Sequence, residues 1–266
     1  MFTEILWDRE IPYLNPDAET PNTMRVFPVA TDVPRPCVVV LPGGGYRARM
    51  PHEDEPIARF FNSRGMHAAV LDYRVKPNKF PAPLADAQRG IRILRANAEA
   101  WKIDPHRIVA CGFSAGGHLA ACLMTLFEDY ARYGDGLDDI SPRPDGGILG
   151  YPLIDLGYNV CKDASGDTLF GDNLKYVSEY FSLQNRVTPE TPPAFIWHTA
   201  EDVLSCNHSL VFAMALRSAG VPFEMHIFPE GKHGMGLAKN HEEVGKWPDM
   251  AADFIERHIP RQKSTE

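Results

Sequence analysis

The chain has 266 residues, 44% hydrophobic and 23% charged, with a formal net charge of −8. That length suits a single α/β unit burying about three quarters of its unfolded surface, which needs neither disulfide nor metal to hold a core. Net acidity without a stripe of Lys and Arg excludes nucleic acid as the main partner, because phosphate backbones are bound through clustered cations.

No apolar run approaches the roughly 20 residues of a membrane span. The opening MFTEILWDREIPYL lacks the basic start and apolar core of a signal peptide. A cytoplasmic protein with no membrane partner is expected. The cysteines, Cys37, Cys111, Cys122, Cys161 and Cys206, are odd in number and show no metal-ligand spacing. Cys37, Cys111 and Cys122 sit in apolar runs and read as buried free thiols.

Two kinds of segment alternate along the chain. Residues 37–41, 67–71, 107–111, 147–150, 194–198 and 223–228 are short runs rich in Val, Ile and Leu. Lacking polar alternation, they suit the strands of a parallel sheet covered on both faces. Residues 53–63, 83–101, 115–127, 205–219 and 242–258 read as helices between them. Strand and helix in alternation is the α/β pattern. Pro83 stands at a helix start, and Gly220 follows the helix at 205–219 in the usual terminating position. Residues 155–193 are the least regular part, with one weak helical piece at 174–181. They read as an insertion or partial lid over the carboxyl edge of a single domain spanning 1–266.

Gly112-Phe113-Ser114-Ala115-Gly116 matches G-x-S-x-G. Alone the pattern arises by accident in about one chain in ten of this length, so its setting decides. It lies between a strand candidate and an Ala- and Leu-rich helix candidate, the strand–turn–helix context in which a serine hydroxyl is pushed out as a nucleophile. The competing reading of Ser114 is a plain helix cap. Leu41-Pro42-Gly43-Gly44-Gly45-Tyr46 follows the first apolar run. Glycines there let backbone amides face a substrate oxygen, so Gly44, Gly45 and Ala115 are the candidate oxyanion donors. A flexible loop is the bland alternative.

A serine needs a base, and His233 lies in a glycine-flanked loop after the 223–228 run. Of the ten histidines, His118 reads as a packing residue one turn into the nucleophile helix. His198, at a strand end, is the second candidate for a functional role. Asp202, after the 194–198 run, is placed to hold an imidazole nitrogen, with Glu201 its rival. Tyr46, Arg47, Tyr73, Arg74 and Tyr151 follow predicted strands at the edge where such sheets bind ligands. They are candidates for a sugar or acyl pocket, or else packing residues.

LPGGGY, GFSAGGHLAA, TPPAFIWHTAED and FPEGKHGMGLA together resemble the acetylxylan-esterase-like serine esterases of the α/β-hydrolase superfamily. These are related to hormone-sensitive-lipase-type esterases and to the prolyl oligopeptidase hydrolase domain. The resemblance runs from about Cys37 to Phe254. It implies a doubly wound, mostly parallel sheet of about eight strands and hydrolysis of small acyl esters, with an acetylated oligosaccharide as a possible substrate. It also implies the chain order Ser114, Asp202, His233 for the triad, and no metal or organic cofactor. Lipase-type esterases carry His-Gly-Gly-Gly where this chain has Pro42, a departure that favours the acetylesterase-like branch. An arylformamidase-like amidase and a non-catalytic ligand-binding homologue are the remaining alternatives.

Overall fold

Successive residues of the apolar runs face opposite ways, and this splits the interior into two cores. Val39 and Leu41 belong with Ile91, Leu94, Leu119 and Phe212 on one side. Val38 and Val40 belong with Ile57, Phe61, Trp247 and Phe254 on the other. A strand that feeds two cores has no polar face, which is why these segments read as unbroken apolar runs.

In the computed structural model, residues 1–18, 21–157 and 164–259 are described. The strands are β1 (Phe2–Ile5), β2 (Thr23–Phe27), β3 (Arg35–Leu41), β4 (His67–Leu71), β5 (Ile103–Phe113), β6 (Gly146–Gly150), β7 (Ala194–Thr199) and β8 (Phe223–Phe228). They form one sheet in the order β1-β2-β4-β3-β5-β6-β7-β8. Strands β3 to β8 pair in parallel, whereas β1 and β2 are antiparallel additions at one edge. Six of the eight are the predicted runs with small boundary changes. The other two went unpredicted. In β1 half-buried and exposed residues alternate, and β2 carries Arg25 in its middle, so neither shows an apolar run.

Helices α1 (Glu55–Ser63), α2 (Ala82–Ala96), α3 (Ala98–Trp101), α4 (Ala115–Thr125), α5 (Ala164–Phe170), α6 (Leu174–Val177), α7 (Asn207–Ala219) and α8 (Trp247–His258) fill the connections. The helix expected over 83–101 is broken at Asn97, whose side-chain amide donates to the Ile93 carbonyl at 2.8 Å and competes with continued helix. The helix expected from 242 begins only at Trp247, after a 3-10 turn at Val244–Lys246. Helices α2, α4 and α7 cover one face of the sheet, and α1 and α8 the other.

Within the insertion read at 155–193, residues 158–163 lie outside the described residues. The remainder is anchored by aromatic packing. Phe80 meets Phe170 at 5.5 Å and Phe181 at 4.6 Å between ring centroids, and those two rings stand 4.5 Å apart. No helix among the described residues is long and apolar enough to cross a membrane.

The N-terminal segment is fastened by a buried ion pair. Asp86, on α2, receives the Arg74 guanidinium through both carboxylate oxygens, the Arg74 backbone amide at 2.9 Å and the Trp7 indole N–H at 2.8 Å. Both charged side chains are sealed from solvent. Arg74, a pocket candidate by its position, is therefore a structural residue. Removing one partner of a buried pair strands the other in low dielectric. Asp86→Ala is expected to lower unfolding free energy by about 3–5 kcal/mol, measured by urea titration, with the Trp7 environment changing first in fluorescence.

Candidate active site

The carboxyl ends of β3, β5, β6, β7 and β8 converge, and the loops leaving them hold the candidate residues. Ser114 stands between β5 and α4 with φ 52° and ψ −118°, a region that L residues avoid and that is held only by surrounding structure. Two backbone bonds fix it to the adjoining loop: Ser114 N–H donates to the Gly150 carbonyl at 3.0 Å, and Leu153 N–H donates to the Ser114 carbonyl at 3.2 Å. Gly116 permits the turn. A Cβ there would lie 2.0 Å from the Leu41 carbonyl oxygen, which no side chain tolerates.

Ser114 Oγ lies 2.9 Å from His233 Nε2. On the other side of the ring, Nδ1 stands 2.8 Å and 2.9 Å from the two oxygens of Asp202. The carboxylate is excluded from solvent, while His233 is partly open to it. Leu204 N–H donates to Asp202 Oδ1 at 2.8 Å, so the carboxylate is held by its own loop as well as by the imidazole. With Nδ1–H directed at Asp202, Nε2 is the ring's acceptor and the serine hydroxyl donates to it. Glu201, the rival acid, is exposed, and its carboxylate accepts from the Gly231 amide at 3.4 Å.

The glycine loop after β3 runs against Ser114, since a Cβ on Gly43 would stand 3.1 Å from Ser114 Cβ. Gly44 has φ 134°, and a Cβ on it would meet the Ala48 carbonyl at 2.3 Å. The Arg47 and Ala48 amides close the turn onto the Gly44 carbonyl. Among the described residues the amides of Gly44, Gly45 and Ala115 make no hydrogen bond, and that of Ala115 opens α4, where backbone N–H groups lack partners within the helix. The Gly43 amide is different: it donates to Glu53 Oε2 at 2.7 Å.

Most of the expected pocket residues lie inside the protein. Tyr46, Tyr73 and Tyr151 are each at most 2% exposed. The Tyr46 hydroxyl bonds His118 Nδ1 at 2.8 Å, Tyr73 donates to the Pro42 carbonyl at 2.5 Å, and Tyr151 donates to Glu53 Oε1 at 2.5 Å. Aromatic rings brace loops in this way when their polar ends find partners. Arg47 is exposed, its guanidinium donating to Thr168 on the insertion at 3.1 Å. His118 is the packing residue expected. Glu53 escaped the sequence reading because Pro51-His52-Glu53-Asp54-Glu55-Pro56 looks like a solvated acidic helix start, yet it is 1% exposed.

Beside His233 an open groove of about 830 Å3 is lined by Glu201, Glu230, Lys232, Met235, Lys239 and His241, among others. Among the described residues no group of three His, Cys, Asp or Glu side chains is placed to hold a metal ion.

The BD-FAE family model matches residues 26–216. The chain is 40% identical over 221 residues to Endo-1,4-beta-xylanase B of Butyrivibrio fibrisolvens, covering 81% of this chain and 35% of that protein. It is 31% identical over 226 residues to an acetylxylan esterase of Xylanibacter ruminicola, covering 79% and 44% respectively. The chain thus spans less than half the length of either. The crystal structure of an acetyl ester-xyloside bifunctional hydrolase from Caldicellulosiruptor lactoaceticus superposes with a TM-score of 0.91 at 40% identity. It covers 96% of this chain and 95% of that one. Propionate-bound Est2, an esterase of Thermogutta terrifontis, gives 0.75 at 27% identity, covering 88% of each chain.

Beneath Asp202 lies His198, fully buried, with Nε2 directed at the Leu204 carbonyl at 2.8 Å and Nδ1 2.9 Å from the Ser209 hydroxyl. Burial pushes it below its ordinary value of 6.5, partly offset by the Leu204 carbonyl and Asp202. His67 is lowered by burial too. A folded-state value below the unfolded one means that the unfolded chain takes up protons first as pH falls. The stability contributed is therefore complete above about 6.5 and is lost as pH falls below it towards the folded values. The thermal midpoint should drop between pH 6.5 and 5, above the range in which carboxylates titrate. Calorimetry of His198→Gln and His67→Gln should show a flatter dependence in that window.

Proposed function

The chain belongs to the BD-FAE family of α/β-hydrolase-superfamily esterases, and from that premise we propose that it is a serine carboxylesterase acting on short acyl esters, acetyl above all, carried by carbohydrate. The observation that carries this reading is the unbroken line from Ser114 Oγ through His233 to Asp202, with contacts of 2.9 Å and 2.8 Å.

Catalysis follows in two steps. His233 Nε2 removes the Ser114 proton as Oγ attacks the ester carbonyl, and Asp202 stabilises the imidazolium that forms. The amides of Gly44, Gly45 and Ala115 receive the developing oxyanion. Such preorganised donors are worth about 3 kcal/mol each in the transition state. His233 then protonates the leaving alcohol, and water activated by the same nitrogen releases the acid from Ser114.

Two observations support a sugar as the alcohol. The groove beside His233 is lined by carboxylates, ammonium groups and an imidazole, which suits a polyol better than a lipid. The relatives include an acetylxylan esterase and an acetyl ester-xyloside hydrolase. A short acyl group is supported by the propionate-bound esterase of the same fold.

Hydrolysis of p-nitrophenyl acetate, butyrate and octanoate should fall with chain length, and acetylated xylo-oligosaccharides should release acetate. Ser114→Ala should abolish both, and Asp202→Asn should lower kcat on the order of ten-thousand-fold. Turnover of formyl anilides in preference to every ester would replace this reading with an amidase. No turnover of either class above the Ser114→Ala level would leave a binding role.

A further inference from the structure

Glu53 is a buried carboxylate that no buried cation faces among the described residues. Among the described residues its one basic neighbour within 4 Å is His52, at 3.7 Å and half exposed. Asp86, another buried acid, is met by the Arg74 guanidinium. Burying a carboxylate is costly unless donors replace its water. Glu53 obtains them from two loops that bear on the reaction. Oε2 accepts the Gly43 amide at 2.7 Å, one residue before the proposed oxyanion donor Gly44, and Oε1 accepts the Tyr151 hydroxyl at 2.5 Å.

Tyr151 extends the connection. Burial and the Glu53 charge push its hydroxyl well above its ordinary value, so it stays a donor. Its oxygen accepts the Gly236 amide from the His233 loop at 3.2 Å, and its ring packs edge-on against His233 with 4.9 Å between centroids. Its backbone has φ 34°, and its amide donates to the Trp197 carbonyl at 2.7 Å. One carboxylate thereby joins the glycine loop, the loop after β6 and the histidine loop behind Ser114.

We propose that Glu53 is a positioning residue for ester hydrolysis, fixing the oxyanion loop through Gly43 and the base through Tyr151. It touches no reacting atom. This inference rests on the esterase reading, because it assigns Glu53 to that reaction. Glutamine fits the same space but cannot serve both partners as the carboxylate does. Its oxygen can accept from Gly43, but its amide cannot accept the Tyr151 proton. Phenylalanine at 151 removes the second arm and leaves the first.

The test is kcat on p-nitrophenyl acetate per active site, with sites counted by stoichiometric phosphorylation with diethyl p-nitrophenyl phosphate, beside the thermal midpoint. Glu53→Gln should lower kcat about 10–100-fold with KM within about 3-fold, less than deleting an oxyanion donor outright because the donor is displaced and not removed. Tyr151→Phe should show the same split with a smaller loss. A merely structural Glu53 would reduce the midpoint and the number of titratable sites but leave kcat per site within about 2-fold of the parent, and that result overturns the proposal. Should Glu53→Gln fail to fold, Tyr151→Phe decides by the same criterion. An inactive parent chain would strike the esterase reading itself, whereas an active parent with unaffected variants strikes only the role of Glu53.

Discussion

The site depends on how closely β3, β5 and α4 approach one another. The first turn of α4 sits against the end of β3 at a distance only hydrogen allows, as Gly116 shows at the Leu41 and Pro42 carbonyls. That contact forces the chain through Ser114 in an avoided conformation, a strain of about 1–3 kcal/mol. The same contact brings the glycine loop of β3 beside the serine. Ser114 and the proposed oxyanion donors are therefore set by one packing event. The reciprocal bonds between Ser114 and the Gly150–Leu153 segment keep the strain from relaxing.

Charge in the site is arranged by what is kept neutral as much as by what is ionised. Asp202 is dehydrated but receives N–H groups from His233 and Leu204, which replace its lost water. His198, the nearest alternative partner for that acid, is lowered by burial and turned towards a carbonyl, so it does not compete with His233 for the carboxylate. Tyr151 is held protonated between Glu53 and the His233 loop. With these neighbours fixed, His233 is the one imidazole held between the Ser114 hydroxyl and the Asp202 carboxylate.

The sequence made β3 to β7 visible because strands buried on both faces leave an unbroken apolar signature. The antiparallel strands β1 and β2 do not. Thr3 and Ile5 beside half-buried Phe2 and Glu4 carry little periodic signal, and the sheet recruits β2 through backbone pairing with β4 and β1 through pairing with β2. Ser114, Asp202 and His233 were legible from short motifs in a fixed order, because local turn chemistry has to be written locally. The tyrosines were misplaced for a physical reason. Position at a strand end predicts proximity to the site, but not whether an aromatic ring turns outward or inward. Tyr46, Tyr73 and Tyr151 turn inward because His118, the Pro42 carbonyl and Glu53 await their hydroxyls. Glu53 was invisible for the converse reason. Its burial is set by loops distant in sequence, and nothing in an acidic hexapeptide marks which carboxylate will be enclosed.

His233 lies beyond the segment matched by the family model, which ends at residue 216, so its place rests on how its loop is held. Thr199 donates to the Gly231 carbonyl at 2.8 Å, tying the loop to the end of β7. The Ala200 amide donates to the Phe228 carbonyl at 2.8 Å, closing β8 onto the loop that carries Asp202. The Trp247 indole donates to the Gly236 carbonyl at 2.9 Å, binding the far end to α8. Tyr151 takes the Gly236 amide in between. These attachments come from three directions and leave the loop little freedom beside the imidazole. His233 is thus positioned by the second core, through Trp247 and Tyr151, while Ser114 is positioned by the helix start at α4. Their meeting at 2.9 Å draws on both sides of the sheet, which places the burden of the site's geometry on the whole fold and not on the loops alone.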